Sequence, residues 1–160
     1  MTSAHDFSFT SIEGKPLTLG EFAGKAVLVV NTASACGLTP QYKGLQALWE
    51  ARQGDGLVVL GVPSNDFGAQ EPGSEGEVKA FCELRYGVSF PLTAKNQVTG
   101  PGAHPFYLWL AETTGEAGLP RGNFHKFPVG KGGAPEGGVG SRTEPGAPEL
   151  VAAVHAALKE

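Results

Sequence analysis

The sequence predicts an α/β fold in which helices flank a central mixed β-sheet. Two β-branched apolar runs, Ala26 to Thr32 and residues 56–64, lack the polar alternation of a half-exposed strand. Such runs are typical of strands that are buried on both faces of a sheet. Helical patterns follow each run, and this alternation favours an α/β sandwich. The length suits a single domain over residues 1–160.

The first helix is predicted from its start signals and its apolar spacing. Before it, residues 7–25 form a short hairpin that turns at Glu13–Pro16 and leads into the first buried strand. Thr39 is placed to cap the helix, with Pro40 as its first residue. Apolar residues then recur at helical spacing: Tyr42, Leu45, Leu48 and Trp49. We expect this helix to end at Gly54–Gly56.

A second helix follows the second buried strand. Ser74 and Glu77 have the spacing of a capping box, which is a helix N-terminal signal. Three residues then share one face of the helix: Val78, Phe81 and Cys82. Residues 87–94 come next, and we expect them to form a third strand.

The sequence of the last third of the chain predicts two further helices and a hairpin. Ala103 to Ala111 has a helical pattern with Pro105 in its first turn. Residues 123–129 and the stretch around Val139 are expected to pair as a late hairpin across a glycine-rich turn. From Pro148 onward, the pattern indicates a short amphipathic C-terminal helix.

Charge and hydropathy argue against several kinds of partner. The 12 basic and 16 acidic residues give a formal net charge of -4, without a basic cluster that would favour nucleic acid or an anionic membrane. The longest fully apolar run, Ala26 to Val30, is far below the roughly 18 residues that span a bilayer. The first ten residues lack the features of a signal peptide. We therefore expect a cytoplasmic protein without a membrane span, monomeric or weakly dimeric.

The two cysteines, Cys36 and Cys82, are either two inert thiols or a redox pair. A reducing cytoplasm does not favour a structural disulfide. Cys36 follows a central strand and precedes a predicted helix N-terminus, where partial positive charge and free N–H groups favour a thiolate. Ligands of α/β sheets bind at this end of the strands. Cys36 is therefore a candidate nucleophile, whereas Cys82, on an apolar helix face, also fits a core position.

The sequence gives no indication of a metal or an organic cofactor. His104, His125 and His155 do not have the spacing of metal ligands, and surface or partly buried positions fit them better. The glycine-rich residues 130–138 lack the G-K-[ST] ending of a phosphate loop. The aromatic residues fit core packing, so we expect no metal, flavin or haem.

Three segments resemble, in order, the three signatures of the glutathione peroxidase family. They are NTASACGLTPQYKGLQAL (31–48), GVPSNDFGAQEPGSEGEVKAFC (61–82) and NFHKFPVGKGG (123–133). The similarity extends over nearly the whole chain. This resemblance implies a thioredoxin-like fold and an enzyme that reduces hydroperoxides.

The resemblance also implies roles for four residues. Cys36 occupies the peroxidatic position, which is selenocysteine in selenium-containing relatives, and Cys82 occupies the resolving position of two-cysteine relatives. Gln70 and Asn123 match two members of the family's catalytic tetrad. The tetrad tryptophan should directly precede Asn123, but this chain has Gly122 there. Because a tryptophan would supply an indole N–H donor, we expect the substitution Gly122→Trp to speed Cys36 oxidation.

The implied cycle begins when Cys36 is oxidised by hydrogen peroxide or an organic hydroperoxide to a sulfenic acid. Cys82 then forms a disulfide with it, and thioredoxin or glutathione reduces the disulfide. Sparse basic residues and the presence of Cys82 favour thioredoxin. Two alternatives remain: a peroxide sensor that passes oxidation to a partner protein, and a family member whose catalysis is weakened by Gly122. A general disulfide oxidoreductase is disfavoured because the chain has no C-x-x-C motif.

Overall fold

The computed structural model describes residues 2–159, so Met1 and Glu160 of the predicted domain lie outside the described residues. The strands are β1 (Ser8–Thr10), β2 (Pro16–Thr18), β3 (Ala26–Thr32), β4 (Leu57–Pro63) and β5 (Lys126–Val129). The α-helices are α1 (Gln41–Arg52), α2 (Glu75–Tyr86), α3 (Pro105–Thr114) and α4 (Pro148–Leu158). Within residues 2–159, no helix is both long enough and apolar enough to cross a membrane.

The central sheet is mixed, as the sequence predicts, with the strand order β4-β3-β5. β3 and β4 are parallel, and their register runs from Ala26 opposite Leu57 to Thr32 opposite Pro63. β5 is antiparallel to β3, with Val30 opposite Lys126. Every residue of these three strands is buried, which explains why their sequences show no polar alternation. β1 and β2 form the separate N-terminal hairpin.

Two apolar cores, one on each face of the sheet, hold the helices in place. Leu28 and Val30 face one core, which α1, α2 and α4 complete. Val27 and Val29 face the other core, which α3 and the N-terminal hairpin complete. Successive side chains of a strand point to opposite faces, so one short strand supplies both cores. The carboxyl end of β3 therefore lies between the two packed layers.

The start of α1 differs from the sequence prediction. The helix begins at Gln41, and Thr39 with Pro40 belongs to the turn before it. The Thr39 hydroxyl does not cap the helix. It donates to the carbonyl of Ala33 (2.8 Å) and accepts from the backbone N–H of Cys36 (3.0 Å). The capping side chain is thus used to close the turn that carries the cysteine.

The predicted third strand over residues 87–94 is absent from the part of the chain that the structure describes. This segment reaches the sheet through one isolated parallel bridge, between Leu92 and Gly61. Pro91 lacks a backbone N–H and cannot extend the ladder toward its N-terminal side. The sequence prediction of a full strand was wrong, although Phe90 and Leu92 do pack in the core.

The late hairpin is only partly formed. β5 is a regular strand, but residues 130–139 contact it through two isolated bridges, Lys126 with Val139 and Val129 with Pro135. Gly133 and Gly137 have left-handed backbone conformations, which interrupt an extended ladder. The capping box of α2 and the helix from Pro148 are present as predicted. α3 begins at Pro105 and runs three residues beyond Ala111.

Candidate active site

Cys36 lies in a tight turn between β3 and α1. The two hydrogen bonds of Thr39 close this turn, and the backbone N–H of Leu38 donates to Sγ of Cys36 (3.2 Å). The thiol is partly exposed and is not part of a disulfide. A backbone donor aimed at the sulfur stabilises negative charge there. Because α1 begins five residues later, the turn supplies this donor and the helix terminus does not.

Gln70 and Asn123 are brought together beside the Cys36 turn. The side-chain amide of Asn123 donates to Oε1 of Gln70 (2.8 Å) and to the carbonyl of Phe67 (3.3 Å). The backbone carbonyl of Gln70 in turn accepts from the backbone N–H of Ala35 (2.9 Å), the residue before Cys36. One chain of hydrogen bonds therefore runs from Asn123 through Gln70 to the cysteine turn.

The backbone is strained next to both amides. Among residues 2–159, the non-glycine residues with positive φ are Ala69 (52°) and Phe124 (64°). Ala69 directly precedes Gln70, and Phe124 directly follows Asn123. An aromatic residue in this conformation is uncommon and persists only where the surroundings enforce it. The fold thus holds both amides at an energetic cost, which the sequence pattern did not reveal.

Cys82 lies in α2 and is 0% exposed, within the core formed by α1, α2 and α4. Burial raises the pKa of the Cys82 thiol to about 11; a facing Tyr42 hydroxyl opposes this shift, and the charges of Glu71 and Glu83 add to it. The structure therefore places Gln70 and Asn123 beside the Cys36 turn, whereas Cys82 is enclosed in the core as a free thiol.

Gly122 is covered by another part of the chain. A Cβ atom added at this position would lie 2.9 Å from Oγ of Ser141, so Ser141 occupies the space into which a side chain would extend. The Ser141 hydroxyl is buried and has no hydrogen-bond partner among the described residues. The carbonyl of Gly122 accepts from the side-chain amide of Asn31 (2.8 Å).

The segment over Gly122 is held by a buried lysine that the sequence analysis missed. Lys126 is 0% exposed, and its ammonium group donates to Oε1 of Gln41 (2.6 Å) and to the carbonyls of Ser141 (3.1 Å) and Thr143 (2.6 Å). Burial lowers the pKa of Lys126 to about 8, and the nearby Glu144 opposes the shift. A lysine at the start of a fully buried strand was the available signal.

His125 takes a structural position. His125 stacks on Phe127 with ring centroids 4.7 Å apart, and its Nδ1 accepts from the backbone N–H of Arg121 (3.1 Å). Burial lowers the pKa of His125 to about 4, so the ring is neutral at physiological pH. Within residues 2–159, no group of three or more His, Cys, Asp or Glu side chains is arranged to hold a metal.

Similarity to known proteins identifies the family of this chain. The family model described as glutathione peroxidase matches residues 4–111. The chain belongs to the glutathione peroxidase family. Hydroperoxy fatty acid reductase gpx1 of Synechocystis is 47% identical over 137 residues, which cover 81% of each chain. Glutathione peroxidase-like peroxiredoxin gpx1 of Schizosaccharomyces pombe is 45% identical over 135 residues, covering 83% of this chain and 85% of the relative.

Solved structures confirm the fold. The crystal structure of Trgpx in its apo form is 37% identical and superposes with a TM-score of 0.77, covering 99% of this chain and 97% of the other. A thioredoxin family protein of Chlorobium tepidum matches at 18% identity with a TM-score of 0.72, over 98% and 96% of the two chains. This member of the glutathione peroxidase family is therefore a peroxidase with a thioredoxin-like fold.

Proposed function

We propose that this peroxidase uses two cysteines, with Cys36 reducing the hydroperoxide and Cys82 resolving the product. The observation that carries the proposal is the placement of Cys36. Its sulfur accepts a hydrogen bond from the backbone N–H of Leu38. The turn around it is held by the backbone carbonyl of Gln70, which accepts from the N–H of Ala35. The side chain of Gln70 is in turn paired with Asn123. A nucleophile is thus fixed beside polar donors at the carboxyl end of a central strand, where ligands bind in α/β sheets.

In the first step, the Cys36 thiolate attacks one oxygen of the hydroperoxide. The O–O bond breaks, the other oxygen leaves as water or an alcohol after taking a proton, and Cys36 becomes a sulfenic acid. Asn123 already donates to Gln70 and Phe67, so the side-chain N–H₂ of Gln70 is the donor left for the leaving oxygen. Gln70 is then the catalytic amide, and Asn123 is the residue that orients it.

In the second step, the Cys82 thiol attacks the Cys36 sulfenic acid, and a disulfide forms as water leaves. Because Cys82 is fully buried, α2 must open locally to bring the two sulfurs together. Glycines near both ends of α2 support such a movement. Gly76 is the second residue of the helix, and Gly87 ends it in a left-handed conformation.

The proposed reductant is a thioredoxin-type protein dithiol. A disulfide product suits reduction by dithiol exchange, and a relative at 45% identity is named a glutathione peroxidase-like peroxiredoxin. The proposed substrates are hydrogen peroxide and organic hydroperoxides. The name of the 47% identical relative, a hydroperoxy fatty acid reductase, supports the inclusion of lipid hydroperoxides.

One observation favours a second candidate, the relay of oxidation to a partner protein. A fully buried Cys82 whose pKa is about 11 is a slow nucleophile, so a Cys36 sulfenic acid would persist unless α2 opens quickly. A thiol of another protein would then compete to reduce it. The two candidates differ in whether the internal disulfide forms before an external thiol reacts.

A coupled assay tests the proposal. NADPH consumption with hydrogen peroxide should be supported by thioredoxin and its reductase, and should disappear in Cys36→Ser. Cys82→Ser should lose turnover with thioredoxin while still consuming one equivalent of peroxide. Turnover supported by glutathione alone would contradict the proposed reductant. Failure of the reduced wild-type protein to consume peroxide would contradict the peroxidase role of Cys36.

A further inference from the structure

An unusual group of buried polar atoms lies near Cys82 and the Cys36 turn, outside the amide pair of Gln70 and Asn123. Buried polar atoms in proteins almost always have a hydrogen-bond partner. Five buried oxygens here have no partner of regular geometry among residues 2–159: Oγ1 of Thr32, Oγ of Ser34, the Tyr42 hydroxyl and both carboxyl oxygens of Glu71. So many unpaired oxygens in one region call for a functional explanation.

Glu71 is the most unusual of these residues, because it is 0% exposed and forms no ion pair with any residue that the structure describes. Lys95 is close to Glu71 but donates to its backbone carbonyl (3.1 Å). The backbone N–H of Glu71 is held by Oδ1 of Asn65 (2.8 Å). The backbone is therefore fixed on both sides, while the carboxyl group is left free to exchange a proton.

The carboxyl group of Glu71 faces Ser34 and lines a cavity of about 230 Å³. Ala35 lines the cavity on the side of the Cys36 turn, and Val78 and Phe81 line it on the side of α2. This volume is large enough for several water molecules. Glu71 therefore lies on the boundary between the two elements that must meet when the Cys36–Cys82 disulfide forms.

Tyr42 connects the carboxyl group to the thiol. Its ring is 0% exposed, and its hydroxyl faces both Thr32 and Cys82 without forming a hydrogen bond of regular geometry. The Tyr42 hydroxyl and the Cys82 thiol are both close enough to Glu71 to be affected by its charge. A path of proton donors and acceptors from Cys82 to Glu71 would therefore pass through the Tyr42 hydroxyl, once Tyr42 and Glu71 approach each other.

Cys82 needs such a path to leave the core as a thiolate when α2 opens. Only a thiolate attacks a sulfenic acid efficiently. Because the pKa of Cys82 is about 11, only about one Cys82 in ten thousand is ionised at pH 7. A nearby base that accepts the proton before the S–S bond forms removes this barrier.

We propose that Glu71 is the general base of the resolving step and takes the proton of Cys82 through the Tyr42 hydroxyl. This inference rests on the two-cysteine cycle proposed above. The Cys82 proton passes to Tyr42 as the Tyr42 proton passes to the Glu71 carboxylate, while Cys82 is still in the core. After α2 opens, the Cys82 thiolate forms the S–S bond as the S–O bond of Cys36 breaks, and the leaving hydroxide takes a proton from solvent to become water. Cys82 is oxidised and Cys36 is reduced.

The surroundings of Glu71 set the pH range of this step. Burial raises the pKa of Glu71, while the polar groups of Ser34 and, after them, the charge of Lys95 oppose the shift. Two exposed carboxylates of α2 are also close: Glu77 lines the same cavity, and the charge of Glu83 adds to the raised pKa of Cys82. Since the pKa of Glu71 is raised, its carboxylate is lost at a higher pH than that of a free glutamate. The resolving step should therefore slow as pH falls through this raised pKa.

A single-turnover experiment separates the two steps. Reduced protein is mixed with hydrogen peroxide and quenched either with dimedone, which traps the Cys36 sulfenic acid, or with an alkylating agent that reports the remaining thiols. We expect Glu71→Gln to slow disulfide formation about 100-fold without changing the rate of sulfenic acid formation. In wild type the disulfide rate should level off above the pKa of Glu71, whereas in Glu71→Gln it should keep rising with pH.

The control is Glu77→Gln, which removes an exposed carboxylate from the same cavity and should change neither rate. Tyr42→Phe, which keeps the buried ring, should slow the disulfide step in the same direction as Glu71→Gln. An unchanged first step in each variant shows that the site is folded. A disulfide rate in Glu71→Gln within twofold of wild type would overturn the inference.

The failure of this inference is distinguishable from the failure of the proposed cycle. If wild type forms the disulfide and both Glu71→Gln and Tyr42→Phe match it, only the role of Glu71 is wrong. If wild type forms no Cys36–Cys82 disulfide, the cycle is wrong and the role of Glu71 fails with it.

Discussion

The side-chain amide of Asn123 donates a 2.8 Å hydrogen bond to Oε1 of Gln70 and so joins two loops that are 53 positions apart in sequence. The bond uses the acceptor of Gln70 and leaves its N–H₂ group as a donor. Since the backbone carbonyl of Gln70 also accepts from the N–H of Ala35, the bond links the proposed catalytic amide to the cysteine turn. The orientation of Gln70 thus depends on a residue that need not contact the peroxide.

Removing this bond should slow the first step more than it destabilises the fold. We expect Asn123→Ala to lower the rate of Cys36 oxidation about tenfold and the free energy of unfolding by about 1 kcal/mol, because Gln70 loses its orienting partner. Rapid-mixing kinetics and urea unfolding measure the two effects. Gln97→Ala, which removes an exposed amide, is the control. Equal oxidation rates in Asn123→Ala and wild type would refute the orienting role.

The structure reverses the sequence-based expectation for Gly122→Trp. A Cβ at this position meets Oγ of Ser141, and Lys126 holds the carbonyls of the covering segment. Gly122→Ala needs only a rotation of the Ser141 hydroxyl, so it should be tolerated. An indole needs the segment to move, so Gly122→Trp should lower the melting temperature and should not speed Cys36 oxidation.

Replacement of Ser141 tests this steric explanation. Adding Ser141→Gly to Gly122→Trp should recover part of the lost melting temperature, because it removes the atom that the new side chain meets. Thermal unfolding of the two single variants and the double variant gives the coupling. A faster Cys36 oxidation in Gly122→Trp alone would show that the site accepts the indole without rearrangement.

Lys126 is expected to stabilise the fold through the carbonyl oxygens around it. Lys126→Met keeps the length of the side chain but leaves the oxygens of Gln41 and Thr143 without their donor. Unsatisfied buried acceptors cost about 1–3 kcal/mol each, so we expect a loss of about 3 kcal/mol in urea unfolding. Lys43→Met, an exposed change on α1, should be nearly neutral. A loss below about 1 kcal/mol would show that the ammonium group contributes little net stability.

Burial of Cys82 makes stability depend on alkaline pH. The pKa of Cys82 is raised from 9.0 to about 11, so the folded state holds its proton where the unfolded chain releases it. The associated stability is present below pH 9 and is lost as pH rises toward 11. Under reducing conditions, wild type should therefore lose more unfolding free energy between pH 9 and 11 than Cys82→Ala does. Parallel pH curves for the two proteins would show that the thiol is not desolvated.

Local sequence patterns predict the parts of this fold that depend on burial and local caps. β3 was predicted from Ala26 to Thr32 because both of its faces are buried, and α2 because Ser74 and Glu77 form a capping box. The start of α1 was misplaced because the Thr39 hydroxyl is used by the Cys36 turn, a contact that the local pattern does not encode. A single proline likewise limits the contact of the predicted third strand with the central sheet to one bridge.

The sequence supplies candidate residues for the site but does not predict their geometry. The family resemblance indicated Cys36, Gln70, Asn123 and Cys82. The left-handed Phe124, the cover of Ser141 over Gly122 and the unpaired carboxyl group of Glu71 each depend on contacts between distant segments. No periodicity or spacing in one sequence reports such contacts. The roles of the four residues therefore remain predictions for kinetics to test.

The most direct test of the two-cysteine cycle is the reaction of fully reduced protein with one equivalent of hydrogen peroxide, followed by mass spectrometry of the product. The cycle predicts rapid loss of both thiols and a peptide pair linked through Cys36 and Cys82. Slow oxidation, or overoxidised Cys36 beside reduced Cys82, would contradict it.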